Sequence, residues 1–309
     1  MSGTAGHPLR DAPFSPDDPV RVSICSITFN HAPFIRACLE GFLDQVCDFR
    51  VEVVIHDDAS TDDTARIIAE YAARYPLVIR PILQPENQFS KGVNPYYAYV
   101  FPAARGDYLA LCDGDDYWQD PGKLAAQVAL MDAEPGVALT YGRTDAMKDG
   151  VLIRGFRGGA ERDFTPDQLK CGGGVNTLTT CFRNVFRGPP PRFLIQSPIG
   201  DLTVWAVLGH HGSGRFMPDL VPTVYNLHPG GIFSQVPRER QTFMTIITLL
   251  NIAAYHGDRG DRAASRANLR RVVGQLALHF GLLAVIAEAV RKSASSGIRR
   301  LRKKLRRQP

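Results

Sequence analysis

Several familiar signatures are missing from this chain. Its six cysteines, at positions 25, 38, 47, 112, 171 and 181, form no Cys-x-x-Cys pair and no zinc spacing. That excludes a zinc ribbon and a disulfide scaffold, and it predicts reduced thiols on apolar faces in a cytosolic protein. No apolar run reaches the ~20 residues that a bilayer span needs. The most apolar stretch, 272–290, is interrupted by Gln275, His279 and Glu288, which predicts a packed or interfacial helix. No internal repeat is evident, and no cationic-then-apolar segment announces secretion. Pro8, Pro13, Pro16 and Pro19 instead make residues 1–19 read as a disordered leader.

A charge excess is missing from the body of the chain as well. The formal net charge is +5, but residues 291–309 hold nine cations and no Asp or Glu, which leaves −4 for residues 1–290. Global basicity is therefore no argument for nucleic acid, and no nucleic-acid partner is expected. With 309 residues and 44% hydrophobic content, the chain can bury one large α/β core with an appendage, or two small domains.

What is present centres on one stretch. The apolar run Leu109-Ala110-Leu111-Cys112 ends in Asp113-Gly114-Asp115-Asp116. Three carboxylates in four positions repel one another unless a cation or open water lies among them. Hard oxygen ligands at a strand end suit Mg²⁺ or Mn²⁺, with phosphate completing the shell. A solvated acidic turn is the competing reading.

The remainder frames that stretch with alternating strands and helices. A strand over 20–27 breaks at Thr28-Phe29-Asn30-His31. Pro33 then opens a helix carrying Ile35, Cys38, Leu39, Phe42 and Val46. The apolar run 51–55 suits a strand buried on both faces and ends in His56-Asp57-Asp58. Ser60 or Thr61 is placed to cap a helix bearing Ile67, Ile68, Tyr71, Ala72 and Tyr75. A strand over 77–83, a polar loop over 84–94 containing Lys91, a helix over 95–105 and a strand over 108–112 follow. Asp120-Pro121 opens a further helix with Leu124, Val128 and Met131 on one side. This rhythm predicts a doubly wound parallel sheet. Ligands of such sheets bind at the carboxyl ends of the strands, where Thr28, Asn30, Asp57, Asp58, Asp113 and Asp115 should meet.

After a strand over 137–141 the rhythm changes. Lys148-Asp149-Gly150-Val151 reads as a hairpin turn and Thr165-Pro166 as the start of a short helix. Strand 177–182, helix 202–208, an extended edge over 216–225 and helices over 241–255 and 262–290 complete the prediction. In the tail 291–309, Ile298, Leu301 and Leu305 recur at helical spacing among cations. That fits a membrane-surface helix or a frayed terminus.

Three stretches, Val22 to Asn30, Val53 to Asp62 and Arg105 to Asp116, resemble in order and separation those of the family-2 glycosyltransferases, an inverting group with the GT-A fold. The resemblance is strong over 20–135 and extends weakly to about 235. It implies an α/β, Rossmann-like, mostly parallel doubly wound sheet over 20–235, a helical C-terminal extension over 236–290 and a basic tail over 291–309. It further implies transfer of one sugar from a nucleotide-sugar, UDP-linked by first expectation, to the hydroxyl of a saccharide or lipid-linked acceptor. Bacterial surface polysaccharide or glycolipid synthesis is the implied setting. Residue by residue, Asp58 would meet a uracil-like base edge with Asp57 beside it, and Lys91 would lie near base or diphosphate. Asp113, first of the D-x-D pattern, would hold the ribose or a metal-bound water. Asp115 would ligate Mn²⁺ or Mg²⁺, with His228 as a further ligand on a loop continued by Pro229-Gly230-Gly231.

Asp201 occupies the place of the family's catalytic base, although Gly200 precedes it where Glu is common. Competing structural readings are a helix cap for Asp201, a surface lysine for Lys91 and a buried structural histidine for His228. The Gln-x-x-Arg-Trp motif of processive members is absent, which favours single-sugar transfer. The implied location is cytoplasmic, peripheral at the inner membrane face through 291–309. Two rival readings are a catalytically inactive nucleotide-sugar-binding protein at the membrane surface and a nucleotidyltransferase. The latter would want a glycine-rich basic loop where Ser26 to Asn30 has neither glycine nor cation. An EF-hand is excluded, because counting from Asp113 puts Trp118 at the glycine position and Leu124 at the glutamate position.

Overall fold

The computed structural model describes residues 6–156, 158–229 and 236–281, together with the isolated positions 284, 286 and 291. The chain divides into two compact units, 1–235 and 236–309.

The first unit is built on a seven-stranded sheet. In chain order its elements are β1 (Val20–Thr28), α1 (Ile35–Leu43), β2 (Arg50–Asp57), α2 (Thr64–Arg74), β3 (Ile79–Leu83), β4 (Tyr108–Leu111), α3 (Lys123–Ala133) and β5 (Val137–Tyr141). A hairpin of β6 (Thr144–Lys148) and β7 (Val151–Ile153) follows, then α4 (Pro166–Lys170), β8 (Cys181–Arg183), α5 (Gly200–Leu208), β9 (Ser213–Phe216) and β10 (Thr223–Leu227). The order across the main sheet is β9-β5-β8-β4-β1-β2-β3. Its pairings are parallel except those of β8, which runs antiparallel to both β4 and β5. β10, β6 and β7 form a small second sheet. The fold is thus mixed α/β around a mostly parallel sheet, as the alternation predicts.

The apolar runs behave as expected. Val22, Ile24, Val53, Ile55 and Ala110 pack with Ile35, Leu39, Phe42, Ile68, Leu124 and Met131 in one core. All eight residues of β2 are buried, including Glu52. A carboxylate there is tolerable only if fully bonded. Its oxygens accept from Ser23 Oγ at 2.7 Å, from the Arg105 backbone N–H at 2.8 Å and from Arg80 Nη1 at 2.7 Å. Arg105 adds its guanidinium through Nε at 2.9 Å and Nη2 at 2.6 Å. The Asp149-Gly150 turn carries positive φ at both positions, 49° and 77°, as a two-residue hairpin requires. Thr165 caps α4 in a reciprocal box with Gln168.

Several expectations are corrected. Residues 6–19 do not behave as a disordered leader. His7–Pro8 pairs with Val46–Cys47, Leu9 is buried in the core, and Arg50 Nη1 donates to the carbonyls of Pro16 and Asp18 at 2.6 Å each. The same pairing takes Val46 out of α1, which ends at Leu43. Ser60 and Thr61 do not cap α2, which starts at Thr64; Ser60 bonds Asp57 instead. The helix expected over 95–105 is a π turn, Tyr96–Val100, continued by Phe101–Ala103. Within the strand expected over 177–182, Thr177–Thr179 is a 3₁₀ turn and β8 begins at Cys181.

Cys25, Cys38, Cys47, Cys112 and Cys181 are buried, and Cys171 is half-buried.

The second unit contains α6 (Arg238–Asp258) and α7 (Arg262–Phe280), packed through Ile246, Leu249, Val272 and Leu276. Asp261 caps α7 by accepting from the Ala264 N–H at 3.0 Å. Among the described residues no helix is long and apolar enough to cross a membrane. The basic tail, apart from position 291, lies outside the described residues.

Candidate active site

The acidic turn leaves β4 at the carboxyl end of the sheet. Its path is set by Gly114, whose N–H donates to the Ile27 carbonyl at 2.9 Å. A Cβ at 114 would lie 2.7 Å from both Cβ and Oγ1 of Thr28. Only glycine lets the turn rest on the end of β1. Thr28 is consequently buried beneath it, with Oγ1 unpartnered among the described residues. Thr28 therefore supports the turn and is not open to a ligand.

Each carboxylate of the turn has its own surroundings. Asp113 accepts a hydrogen bond from the Tyr96 hydroxyl. Burial, with the Asp115 charge and more weakly that of Asp201, pushes the Asp113 carboxyl up to about 7 although the Tyr96 bond opposes this. Asp115 shows the reverse. Burial would raise it, but the hydrogen bond from His228 and the field of His31 outweigh burial and hold it below the ordinary value. Asp116 is pushed well above the ordinary range by burial and by Asp115 and Asp113. Its Oδ1 accepts from the Asn226 N–H at 2.9 Å, which stitches the turn to β10. Tyr117 and Val224 continue that seam through reciprocal backbone bonds of 3.2 and 2.9 Å.

The seam brings His228, just beyond β10, against Asp115. His228 Nε2 lies 3.1 Å from Asp115 Oδ2, and its ring packs 4.6 Å from that of Phe34. His31 approaches the same oxygen, with Nε2 at 3.7 Å. Burial lowers the His31 pKa against the pull of Asp115. The ligand atoms of His31, Asp115 and His228 all lie within 4.8 Å of one another. Two imidazoles and a carboxylate are a donor set for a divalent metal, so the residues present fit the ion that the acidic turn calls for. Gly230 and Gly231 lie outside the described residues.

Asp201 stands in the first turn of α5, whose capping position is Ile199. It is therefore not the cap. Oδ1 accepts from the Leu202 N–H at 2.7 Å, and Oδ2 lies 3.4 Å from Thr177 Oγ1. Burial raises its pKa against these bonds. A carboxylate raised in this way is better matched to taking a proton near neutral pH.

The other sequence candidates sit at the neighbouring strand ends. Asp57 accepts from the Ser60 N–H at 3.0 Å and from the Ser60 hydroxyl. Asn30, at φ 56°, accepts through Oδ1 from the Thr61 N–H at 2.8 Å, and its own N–H donates to Ser60 Oγ at 2.8 Å. The pair locks the two loops together. Both oxygens of Asp58 are taken by the N–H groups of Gln88 and Phe89, at 2.8 and 3.0 Å. Asp58 thereby folds the 86–92 loop over itself. Lys91, in that loop, is exposed and paired with Glu86.

Asp113, Asp115 and His228 are thus gathered, with Asp201 near enough for its charge to act on Asp113, whereas Thr28, Asn30, Asp57 and Asp58 build the segments around them. Sequence reading passed over His31 and Tyr96. The signal for His31 was its place at the end of β1, where polar groups converge.

Comparison with known proteins gives a consistent picture. The glycosyl transferase family 2 profile matches residues 23–188. An uncharacterized protein of Mycobacterium tuberculosis is 38% identical over 226 residues, 72% of this chain and 63% of its own length. This chain thus spans less than two thirds of that relative. The Escherichia coli UDP-Glc:alpha-D-GlcNAc-diphosphoundecaprenol beta-1,3-glucosyltransferase WfaP is 26% identical over 235 residues, 76% of this chain and 88% of that protein. Among solved structures, S. aureus TarS in complex with UDP-GlcNAc superposes with a TM-score of 0.58 at 16% identity, covering 84% of this chain and 73% of that one. That likeness concerns the fold.

Proposed function

This chain belongs to glycosyl transferase family 2, and on that footing we propose that it is a metal-dependent, inverting glycosyltransferase. It moves one sugar from a UDP-linked donor to the hydroxyl of a lipid-linked saccharide. The observation that carries this reading is the acidic turn at the carboxyl end of the sheet, with His228 against Asp115 and the charge of Asp201 acting on Asp113.

Asp115 and His228 would hold Mn²⁺ or Mg²⁺. When bound, that ion neutralises the charge that builds on the departing diphosphate. Asp113, bonded to Tyr96, is placed for the ribose hydroxyls or a water beside the ion. Asp201 takes the proton of the acceptor hydroxyl as its oxygen attacks the anomeric carbon. The bond from that carbon to the diphosphate breaks on the opposite face, so configuration inverts. The Asp58-anchored loop, with Lys91, borders the base end of the crevice.

The donor and acceptor classes are supported by WfaP, whose name gives a UDP-linked sugar and a diphosphoundecaprenol-linked acceptor. Such an acceptor lies in a bilayer. The nine cations of 291–309 would hold the enzyme on an anionic cytoplasmic leaflet, at about 1 kcal/mol for each cation near the surface.

The test is a product assay. The full chain is incubated with UDP-, GDP-, CDP- and dTDP-linked sugars and a sugar-diphosphate lipid, and product anomers are assigned by NMR. An inverted product from one donor class is expected. Sugar-1-phosphate consumption with a nucleoside triphosphate would instead support a nucleotidyltransferase.

A further inference from the structure

The proposed reaction gives His31 no role, yet its placement is closely determined. Asn30 turns the chain with a left-handed φ of 56°. The His31 N–H then donates to Thr64 Oγ1 at 2.8 Å, and its carbonyl accepts from the N–H groups of Phe34 and Ile35 at 2.9 and 2.8 Å. The next N–H, of Ala32, donates to Asp62 Oδ2 at 3.1 Å. The backbone is thus pinned from both sides by the start of α2 and the start of α1.

The side chain gains little from this as a structural group. Its Nδ1 is buried without a hydrogen-bond partner among the described residues. Its Nε2 stands 3.7 Å from Asp115 Oδ2, beyond hydrogen-bond length. A buried imidazole normally satisfies its nitrogens. This one is instead held, 14% exposed, beside the oxygen that His228 also approaches. The two imidazole rings stand edge to face at 5.9 Å. Ligand atoms on one face of an octahedral ion lie about 3 Å apart when the bonds are near 2.1 Å. The observed separations from Asp115 Oδ2, 3.1 and 3.7 Å, are close to that spacing.

We propose that His31 is a third protein ligand of the divalent ion, completing with Asp115 and His228 a two-histidine, one-carboxylate face. The proposal rests on the reading that an ion binds at Asp115 and His228. Two imidazoles make the site a transition-metal site. Mg²⁺ prefers an all-oxygen shell, whereas Mn²⁺ accepts nitrogen ligands readily. The protein therefore selects Mn²⁺ over Mg²⁺, and His31 contributes to that selectivity through a residue nearly two hundred positions from His228.

The test uses the full chain and Mn²⁺, with and without UDP. Free Mn²⁺ is counted by electron paramagnetic resonance, and bound imidazole nitrogens are counted by pulsed methods on the bound ion. Wild type should show two coupled imidazoles. His31→Ala should show one, with Mn²⁺ bound at least about tenfold more weakly, as metal-site losses generally run. Competition by Mg²⁺ should improve in the variant. His31→Asn, which retains a polar side chain after Asn30, is read in the same way if the alanine variant does not fold. Two results overturn the proposal. One imidazole in wild type with unchanged Mn²⁺ affinity in His31→Ala removes His31 while leaving Asp115 and His228 in place. No Mn²⁺ bound by folded wild type, with or without UDP, removes the metal reading itself.

Discussion

The side-chain amide of Asn94 occupies the space where a residue at position 200 would begin. A Cβ built on Gly200 lies 2.0 Å from Asn94 Nδ2. Asn94 is not free to retreat, because its Oδ1 accepts from the Tyr96 N–H at 3.0 Å and its own N–H donates to the Ile195 carbonyl at 3.0 Å. Where the resemblance implies a glutamate before the proposed base Asp201, this chain has glycine, and an amide from another segment fills the space. Gly200→Ala should cost about 1–3 kcal/mol, the usual range for overpacking. Asn94→Ala in the same chain should relieve most of that cost. A double-mutant cycle in urea measures it, and additive effects would show that the two positions do not share the space.

Asp201→Asn should leave nucleotide binding intact and lower turnover by about 10²- to 10⁴-fold, the range for loss of a general base. Burial raises the Asp201 pKa above its ordinary 3.8. Its basic form is then lost on acidification at a higher pH than an exposed aspartate would show. The acid limb of kcat/KM should accordingly lie above 3.8 and disappear in the variant. Unchanged turnover would leave Asp201 with only its contacts to Thr177 and Leu202.

Much of this site was legible in the sequence, and the reasons for the rest are physical. Short, largely apolar runs marked β1, β2 and β4 because strands buried on both faces are mostly apolar, although Ser23 and Ser26 interrupt the first and Glu52 the second. The carboxylates of the acidic turn were visible because like charges so close in sequence stay close in any fold. His31 escaped notice because its partners, Asp115 and His228, are brought to it by β1–β4 pairing and by the seam to β10. Neither leaves a local trace. β8 was recognisable as a strand, but its antiparallel insertion between β4 and β5 depends on partners 41 to 75 residues away. Val46 fitted the helical spacing of α1 and was claimed instead by pairing with the N-terminal segment. Asp57, Asp58 and Asn30 were correctly placed at strand ends, yet their polar atoms are taken up by loop N–H groups that no spacing rule reveals.

Glu52 tests the account of the core. Burial would raise its pKa, but its bonds to Arg105, Ser23 and Arg80 outweigh burial and hold it below the ordinary 4.5. The stabilisation is therefore present above the unfolded-state value and lost as pH falls through the depressed folded value. Glu52→Gln should lower stability at neutral pH by about 2 kcal/mol, the scale of charged hydrogen bonds. It should also flatten the loss of stability on acidification. Urea midpoints across the acidic range measure both, and parallel curves for the two proteins would contradict the account.

Removal of residues 291–309 takes away nine cations. The truncated chain should sediment less with vesicles containing anionic lipid, increasingly so at low salt, and keep its turnover on a water-soluble acceptor. Equal partitioning of the two chains at every salt concentration would assign the tail no role at the membrane.

The most direct test of the central claim is calorimetric titration of UDP into the full chain and into Asp115→Asn, each with and without Mn²⁺. The account predicts that UDP binds wild type, that Mn²⁺ tightens binding, and that the tightening is lost in Asp115→Asn while metal-free binding remains. Absence of UDP binding by folded wild type, or an equal Mn²⁺ effect in the variant, would contradict it.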